Sequence, residues 1–127
     1  MDVANATARR RIVVVDDDED SREMLKLLLE ARDHEVVDAA DGPTALEVIR
    51  TMRPDVAFID IGLPIMTGYE IAQRIRAQRD LDGVFLVALT GYGALGDVLA
   101  VRNAGFDEHL IKPADLSRIE RILQRTP

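Results

Sequence analysis

Runs of apolar residues alternate along the chain with segments whose apolar residues recur at helical spacing. The clearest run is Val56 to Ile59, which leads directly into Asp60 and is followed by Gly62 and Pro64. An uninterrupted apolar run of this length is typical of a strand that is buried on both faces of a parallel sheet. Because proline cannot continue a central strand, we expect this strand to end near Asp60.

Four further segments have the composition of strands. They are Ile12–Val15, Glu35–Ala39, Val84–Leu89 leading into Thr90, and His109–Ile111. Charges within the second of these segments favour a position at the edge of a sheet.

Five helical segments separate and follow the strands. Asp20 or Ser21 is the expected N-terminal cap of the first, Pro43 lies in the first turn of the second, and Gly105 is the expected C-terminal cap of a short fourth helix over Asp97 to Asn103. The apolar positions at helical spacing are Met24, Leu25, Leu28 and Ala31 in the first helix, Ala45, Leu46, Ile49 and Met52 in the second, Ile71, Ala72 and Ile75 in the third, which follows Gly68, and Leu116, Ile119, Ile122 and Leu123 in the last.

This alternation predicts an α/β fold, a five-stranded parallel sheet with helices on both faces. Right-handed crossovers leave few topologies. We expect the flavodoxin-like, doubly wound strand order 2-1-3-4-5, because it places the charged second strand at an edge. The same order sets the first and third strands side by side and brings the carboxyl ends of all strands to one rim.

Composition supports one domain with an aliphatic core. The chain has 127 residues, of which 47% are hydrophobic and only 4% aromatic. We expect residues 1–10 to be a flexible lead-in and residues 11–125 to form the domain.

Charge and cysteine content exclude several classes of function. The net charge of −7 argues against nucleic-acid or acidic-membrane binding by this chain. Without cysteine there is no disulfide framework, thiolate zinc site or cysteine nucleophile. No apolar stretch has transmembrane length, and the first eleven residues lack the apolar region of a signal peptide, so we expect a cytoplasmic protein.

Polar side chains follow four of the strands, all on the same predicted rim. Asp16 and Asp17 follow the first strand, Asp60 ends the third, Thr90 the fourth, and Lys112 follows the fifth. Three crowded carboxylates repel one another, and a hard divalent cation relieves that repulsion. These carboxylates provide oxygen ligands, which favours Mg²⁺ as the bound ion. Together with a hydroxyl and an ammonium, these groups predict a site for a phosphoryl group, with a carboxylate as nucleophile.

Each of these signals alone has an ordinary structural explanation. An acidic run after a strand is usually a solvated loop that caps a helix, threonine is common in strands, and a Lys-Pro pair often ends a strand. The prediction therefore depends on their joint order along alternate strand ends.

With these residues in place, the chain resembles the response-regulator receiver domain of two-component signalling, of the chemotaxis-regulator-like kind. The resemblance covers about residues 11–124 and rests on four stretches, Ile12–Asp20, Asp55–Glu70, Ala88–Gly93 and His109–Pro113. The stretches around Gly91-Tyr92-Gly93 and Ala104–Pro113 look most like receivers attached to hybrid sensor kinases.

The resemblance implies a role for each acidic residue. Asp60 would be the phosphoacceptor, taking a phosphoryl group from a phosphohistidine on a sensor histidine kinase or phosphotransfer domain. Asp17 would bind Mg²⁺ directly and Asp16 through water, and the carbonyl of Gly62 would complete the metal site, with Mn²⁺ as an alternative ion. The domain would assist its own phosphorylation and dephosphorylation and would not be an enzyme that acts on another substrate.

The resemblance also implies a switch and an output surface. Thr90 would bond the phosphoryl oxygen, Lys112 would pair with it, and the Lys112-Pro113 peptide would be cis. A downstream protein would bind the face made by the fourth helix, last strand and last helix. His109 stands where the family usually has a Tyr or Phe switch, Thr67 where an acidic residue is common, and Ile65 where glycine is frequent.

Three alternatives remain open from the sequence. A haloacid-dehalogenase-like phosphatase would use Asp16 and Asp18 as nucleophile and acid, but it needs a further acidic pair, and only Asp115 and Glu120 follow Lys112. A flavodoxin would need a phosphate-binding loop after the first strand, but the acidic residues of this chain at that place would repel a phosphate. The third is a receiver that serves as a phosphorylation-independent interaction module. The sequence does not specify the cognate kinase, the input signal or the output. It also does not specify whether the domain stands alone or belongs to a larger protein.

Overall fold

The computed structural model of the chain describes residues 9–91 and 98–127, and strands and α-helices alternate along them. The strands are β1 (Arg11–Val15), β2 (Glu35–Ala39), β3 (Val56–Asp60), β4 (Phe85–Thr90) and β5 (Glu108–Ile111); the helices are α1 (Glu19–Glu30), α2 (Gly42–Met52), α3 (Gly68–Arg76), α4 (Val98–Ala104) and α5 (Leu116–Arg125), with a short 3-10 helix at Arg79–Leu81.

The five strands form one parallel sheet in the order β2-β1-β3-β4-β5, which confirms the predicted topology. β2 lies at an edge, as its charges predicted. Val15 pairs with Ile59, and Asp60 pairs with Leu89. This register sets the carboxyl ends of the three central strands level with one another, so side chains that follow them share one rim.

Two apolar layers hold the helices against the sheet. Alternate residues of β1 point to opposite faces, so that Val13 and Val15 pack with α2, α3 and α4, while Ile12 and Val14 pack with α1 and α5. All four side chains are fully buried. The sheet is therefore covered on both faces, which explains the unbroken apolar runs of its central strands.

Helix α1 begins earlier than predicted. Its N-cap is Asp18, whose carboxylate accepts a hydrogen bond from the Ser21 amide over 2.9 Å, so the expected cap at Asp20 or Ser21 is wrong. Asp18 has an extended backbone, which is the conformation that an N-cap requires. Glu19 and Asp20 then fall in the first turn, where negative charge is favourable.

The buried face of α1 also differs from the predicted one. Leu25 and Leu29 are buried, whereas Met24 is 64% exposed and Ala31 lies on the surface as the C-cap. The helix is rich in leucine on more than one side, so the sheet decides which side is buried. Leu116 of α5 is likewise only half-buried.

The remaining helices agree with the predicted pattern. The apolar positions predicted for α2 and α3 are all buried, and Pro43 lies in the first turn of α2. Gly105 follows α4 with a φ of 109°, and a Cβ there would come within 2.5 Å of Cγ of Arg76. Asp97, Tyr92 and Gly93 lie outside the described residues. Within the described ranges, every helix is too short or too polar to cross a membrane.

Candidate functional site

The predicted polar residues lie at the carboxyl ends of β1, β3, β4 and β5. Asp60 is the last residue of β3 and Thr90 the last of β4, while Asp16 directly follows β1 and Lys112 directly follows β5. The backbone continues the sheet at these positions, since the Asp16 amide donates to the Ala39 carbonyl and the Lys112 amide to the Thr90 carbonyl. The residues are thus held by the sheet.

Asp16, Asp17 and Asp60 form an acidic cluster, in which each carboxylate offers an oxygen within 4.8 Å of the others. Asp16 is buried, Asp60 is half-buried and Asp17 is exposed. All three donors are hard carboxylate oxygens, and the exposed Asp17 leaves one side open to water. Mg²⁺ prefers such oxygens and keeps several of its waters, so the cluster fits this ion.

Lys112 joins the two less exposed carboxylates. Its Nζ lies 2.7 Å from Oδ2 of Asp16 and 2.9 Å from Oδ2 of Asp60. Burial raises the pKa of Asp16, against the lowering effect of its hydrogen bonds with Lys112 and the Asp18 amide. Burial also disfavours the ammonium of Lys112, yet its two carboxylate partners together raise the pKa of Lys112 above its ordinary value. The ammonium therefore stays charged beside the acidic cluster.

Both carboxylate oxygens of Asp60 have partners. Oδ2 accepts from Lys112, and Oδ1 accepts from the Gly62 amide over 2.7 Å. Gly62 thus contacts the predicted phosphoacceptor through its N–H group. Its carbonyl as a metal ligand stays a prediction.

The start of α3 packs directly against the backbone of Asp60. A Cβ on Gly68 would come within 2.5 Å of the Asp60 carbonyl oxygen and 2.6 Å of Cα of Ile61. The Gly68 amide donates to the Ile61 carbonyl over 3.2 Å. Thr67 is the N-cap of α3, and its hydroxyl accepts from the Glu70 amide. Only glycine at position 68 allows the helix to begin this close to the strand.

Of the two predicted switch residues, Thr90 contacts β5 and His109 belongs to it. Thr90 is buried, and its hydroxyl donates to the Leu110 carbonyl over 3.3 Å. The His109 side chain is 39% exposed, with Nδ1 3.9 Å from Oε1 of Glu108. Glu108 also pairs with Arg125 of α5. The Thr90 hydroxyl is therefore bound to the strand that carries His109, while the switch roles of both residues stay predictions.

Two further features border the site. The Lys112-Pro113 peptide is cis, the form that the resemblance implies. A cavity of about 220 Å³ opens beside Asp16 and Lys112, and Met24 and Pro113 are among its lining residues.

Sequence analysis missed Arg22 of α1. Its Nη1 donates to the carbonyl oxygen of Asp16 over 3.0 Å, and its Nε donates to Oδ2 of Asp38 on β2 over 2.8 Å. No sequence pattern distinguishes an arginine that makes these two contacts from an arginine on the solvated surface of a helix.

The acidic residues after Lys112 are used elsewhere. Asp115 is the N-cap of α5 and accepts from the Ser117 amide over 3.1 Å. Glu120 lies 3.6 Å from Arg32 at the end of α1. Neither belongs to the acidic cluster, so the acidic pair that the phosphatase alternative needs is not formed by these two residues.

Comparison with known proteins gives one family. The family model of the response regulator receiver domain matches residues 12–124. The DNA-binding response regulator MtrA of Mycobacterium tuberculosis is 36% identical over 107 residues, which are 84% of this chain and 46% of MtrA. The chain spans about half the length of the curated transcriptional regulators that it matches.

Solved structures agree with this match. The receiver domain of the sensor histidine kinase PA1611 from Pseudomonas aeruginosa, which has a magnesium ion coordinated in its active site cleft, is 31% identical, with a TM-score of 0.84 over 94% of this chain and 98% of that one. The chemotaxis response regulator CheY4 of Vibrio cholerae is 29% identical, with a TM-score of 0.84 over 93% of this chain and 98% of that one.

Proposed function

The chain belongs to the family of response regulator receiver domains, the signalling domains of two-component systems, and we propose that it takes a phosphoryl group onto Asp60 in a step that requires Mg²⁺. One observation supports this proposal most directly. The Asp60 carboxylate lies at the end of a central strand, clustered with Asp16 and Asp17 and 2.9 Å from the ammonium of Lys112. A nucleophile, a cation site and a fixed positive charge are the groups that phosphoryl transfer to a carboxylate needs.

In the proposed step, a carboxylate oxygen of Asp60 forms a bond to phosphorus while the P–N bond of a phosphohistidine breaks. The electron pair of that bond stays on the imidazole nitrogen of the donor. Asp16, Asp17 and Asp60, with the Gly62 carbonyl, would hold Mg²⁺, which when bound neutralises charge on the phosphoryl oxygens. Lys112 leaves Oδ2 of Asp60 and pairs with a phosphoryl oxygen. The same groups would assist hydrolysis of the product by water.

Thr90 would carry the change to the surface. Its hydroxyl leaves the Leu110 carbonyl and donates to a phosphoryl oxygen, so β5 loses a buried hydrogen bond next to His109. The pair of Glu108 with Arg125 lies on the same strand and on α5. A change at this strand would therefore alter the face of α4, β5 and α5, where a downstream protein would bind.

The phosphoryl donor would be a sensor histidine kinase or a phosphotransfer domain. Such a donor has to bring its phosphohistidine to the rim beside Asp60. The cavity next to Asp16 and Lys112, with Met24 64% exposed at its edge, offers apolar surface for this contact. Residues 11–125 would act as one domain in the cytoplasm, without binding nucleic acid themselves.

Mass spectrometry after incubation with acetyl phosphate tests the proposal. We expect the wild-type protein to gain one phosphoryl group in the presence of Mg²⁺ and none in excess EDTA. Asp60→Asn keeps the shape of the side chain but removes the nucleophile, so it should stay unmodified. Asp80→Asn, in the 3-10 helix before β4, is the matched control and should be modified like the wild type. Full modification of Asp60→Asn, or of the wild type in EDTA, would refute the proposal.

The metal ligands can be tested without chemistry. Asp17→Asn should weaken Mg²⁺ binding and raise the melting temperature of the metal-free protein, because one of three mutually repelling carboxylates loses its charge. A lower melting temperature of metal-free Asp17→Asn would show that repulsion is not the dominant interaction in the acidic cluster.

A further inference from the structure

The peptide that joins Asp16 to Asp17 is held from outside the acidic cluster. The other polar groups of Asp16 already have partners: its amide donates to Ala39, Oδ1 accepts from the Asp18 amide over 3.0 Å, and Oδ2 accepts from Lys112. Its carbonyl oxygen accepts from Nη1 of Arg22 over 3.0 Å.

The same guanidinium is anchored on a second strand. Nε of Arg22 donates to Oδ2 of Asp38 over 2.8 Å, and the two side chains are only 18% and 27% exposed. Asp38 pairs with Val14 in the sheet, which places it beside the end of β1. Arg22 therefore connects α1, the Asp16 carbonyl and β2 through one planar group.

We propose that Arg22 is a positioning residue for the metal site: by holding the Asp16 carbonyl it fixes the plane of the Asp16–Asp17 peptide, and with it the direction in which the Asp17 carboxylate projects toward the acidic cluster. This inference rests on the proposed function of the site. Asp17 is exposed and is therefore oriented mainly by its backbone. Groups that orient metal ligands in this way typically change metal affinity by about 10- to 100-fold when removed.

The charge of Arg22 and its contacts predict opposite effects on Mg²⁺ affinity when the residue is replaced. The guanidinium is a positive charge near the acidic cluster, since its Nη1 lies 3.0 Å from the Asp16 carbonyl oxygen. If Arg22 acted only by its charge, replacing it with a neutral side chain would strengthen Mg²⁺ binding. If it positions the peptide, the same replacement weakens binding.

Lys26 provides a matched control on the same helix. Its ammonium donates to Oδ1 of Asp38 over 3.4 Å, so it shares the anchor of Arg22. Among the described residues, the ammonium does not donate to the Asp16 carbonyl. Lys26→Met removes a positive charge from the same surroundings and keeps the hydrogen bond between Arg22 and the Asp16 carbonyl.

Titration calorimetry with MgCl2 as the probe decides between these effects. We expect Arg22→Met and Arg22→Lys both to raise the Kd for Mg²⁺ about tenfold, because the compact ammonium of lysine cannot present two fixed N–H groups to Asp38 and to the Asp16 carbonyl. Lys26→Met should stay within about twofold of the wild type. An unchanged or lower Kd for Arg22→Met, a wild-type Kd for Arg22→Lys, or an equal rise for Lys26→Met would overturn the inference.

Hydrogen exchange of the metal-free protein in EDTA gives a second readout. We expect the Asp18 amide, which donates to Oδ1 of Asp16, to exchange faster in Arg22→Met and at the wild-type rate in Lys26→Met. Asp38→Asn, which weakens the anchor but leaves Arg22 in place, should show smaller shifts in the same direction and serves if Arg22→Met does not fold. Equal exchange in all variants would overturn the inference. A wild-type protein that fails to bind Mg²⁺ would instead contradict the proposed function.

Discussion

The ammonium of Lys112 donates a hydrogen bond over 2.9 Å to Oδ2 of Asp60, the carboxylate proposed as phosphoacceptor. The same ammonium lies 2.7 Å from Asp16. Lys112 thus contacts one oxygen of each of two carboxylates in the acidic cluster, so we expect it to compete with a divalent cation for them.

Lys112→Met should therefore bind Mg²⁺ more tightly than the wild type while it accepts a phosphoryl group more slowly. Without the ammonium, Asp16 and Asp60 attract a cation more strongly, but the phosphoryl oxygens lose a partner. We expect the free energy of unfolding in EDTA to fall by about 1–3 kcal/mol, since the buried Asp16 and the half-buried Asp60 lose their counter-charge. Calorimetry and urea unfolding measure these effects. Weaker Mg²⁺ binding by Lys112→Met would show that the ammonium organises the acidic cluster instead of competing for it.

Gly68→Ala should destabilise the protein and slow modification of Asp60. The new methyl group would come within 2.5 Å of the Asp60 carbonyl oxygen, so α3 or the end of β3 has to move. Overpacking of this kind costs about 1–3 kcal/mol. Gly83→Ala is the control, because its Cβ would meet nothing within 4 Å. Urea unfolding and acetyl phosphate labelling measure both variants, and equal effects of the two substitutions would contradict this explanation.

Ile65→Gly should stabilise the protein. Ile65 is fully exposed and has a φ of 69°, a left-handed conformation that is unfavourable for a β-branched residue. Glycine adopts this conformation readily, so we expect the free energy of unfolding to rise by about 1 kcal/mol, net of the greater entropy of glycine in the unfolded chain. Ile65→Val keeps the branched side chain and should leave the stability unchanged in urea unfolding. A loss of stability in Ile65→Gly would mean that the side chain makes a favourable contact that outweighs the backbone strain.

His34 should make the protein less stable in acid. The side chain is buried, Nδ1 accepts from the Arg10 amide over 3.0 Å, and Nε2 has no hydrogen-bond partner among the described residues. Burial, helped by the charge of Arg10, lowers the pKa of His34. The folded state therefore keeps a neutral imidazole where the unfolded chain takes up a proton, so stability falls as the pH drops below about 6.5, the ordinary value, toward the lowered one.

His34→Asn keeps an acceptor for the Arg10 amide and cannot titrate. In urea unfolding between about pH 6.5 and 5, it should therefore lose less stability per pH unit than the wild type. An NMR titration in which His34 takes up its proton at or above the ordinary pKa would contradict this account.

Several features of the fold could be predicted because they depend on local pattern. The apolar run before Asp60 predicted a central strand, and the charges of β2 predicted an edge strand. Both predictions were possible because the pattern of apolar and polar residues that reports burial extends over only a few neighbouring residues. Helix boundaries and faces were less predictable. Asp18, Asp20 and Ser21 are all residue types that cap helices well, and only the structure shows that Asp18 has the extended backbone and accepts from the Ser21 amide. Met24 is exposed because the sheet buries Leu25 and Leu29 instead.

The sequence by itself determined the order of the strands and the residues that follow their carboxyl ends, because the alternation of strands and helices allows few right-handed parallel topologies. Only the tertiary structure decided which groups touch. Lys112 contacts Asp16 and Asp60, which are both distant from it in the chain. Arg22 bridges the Asp16 carbonyl and Asp38 of β2, and the Thr90 hydroxyl donates to β5. Such contacts depend on the register of neighbouring strands and on side-chain direction, which are set when distant segments pack together and have no counterpart in the local sequence pattern.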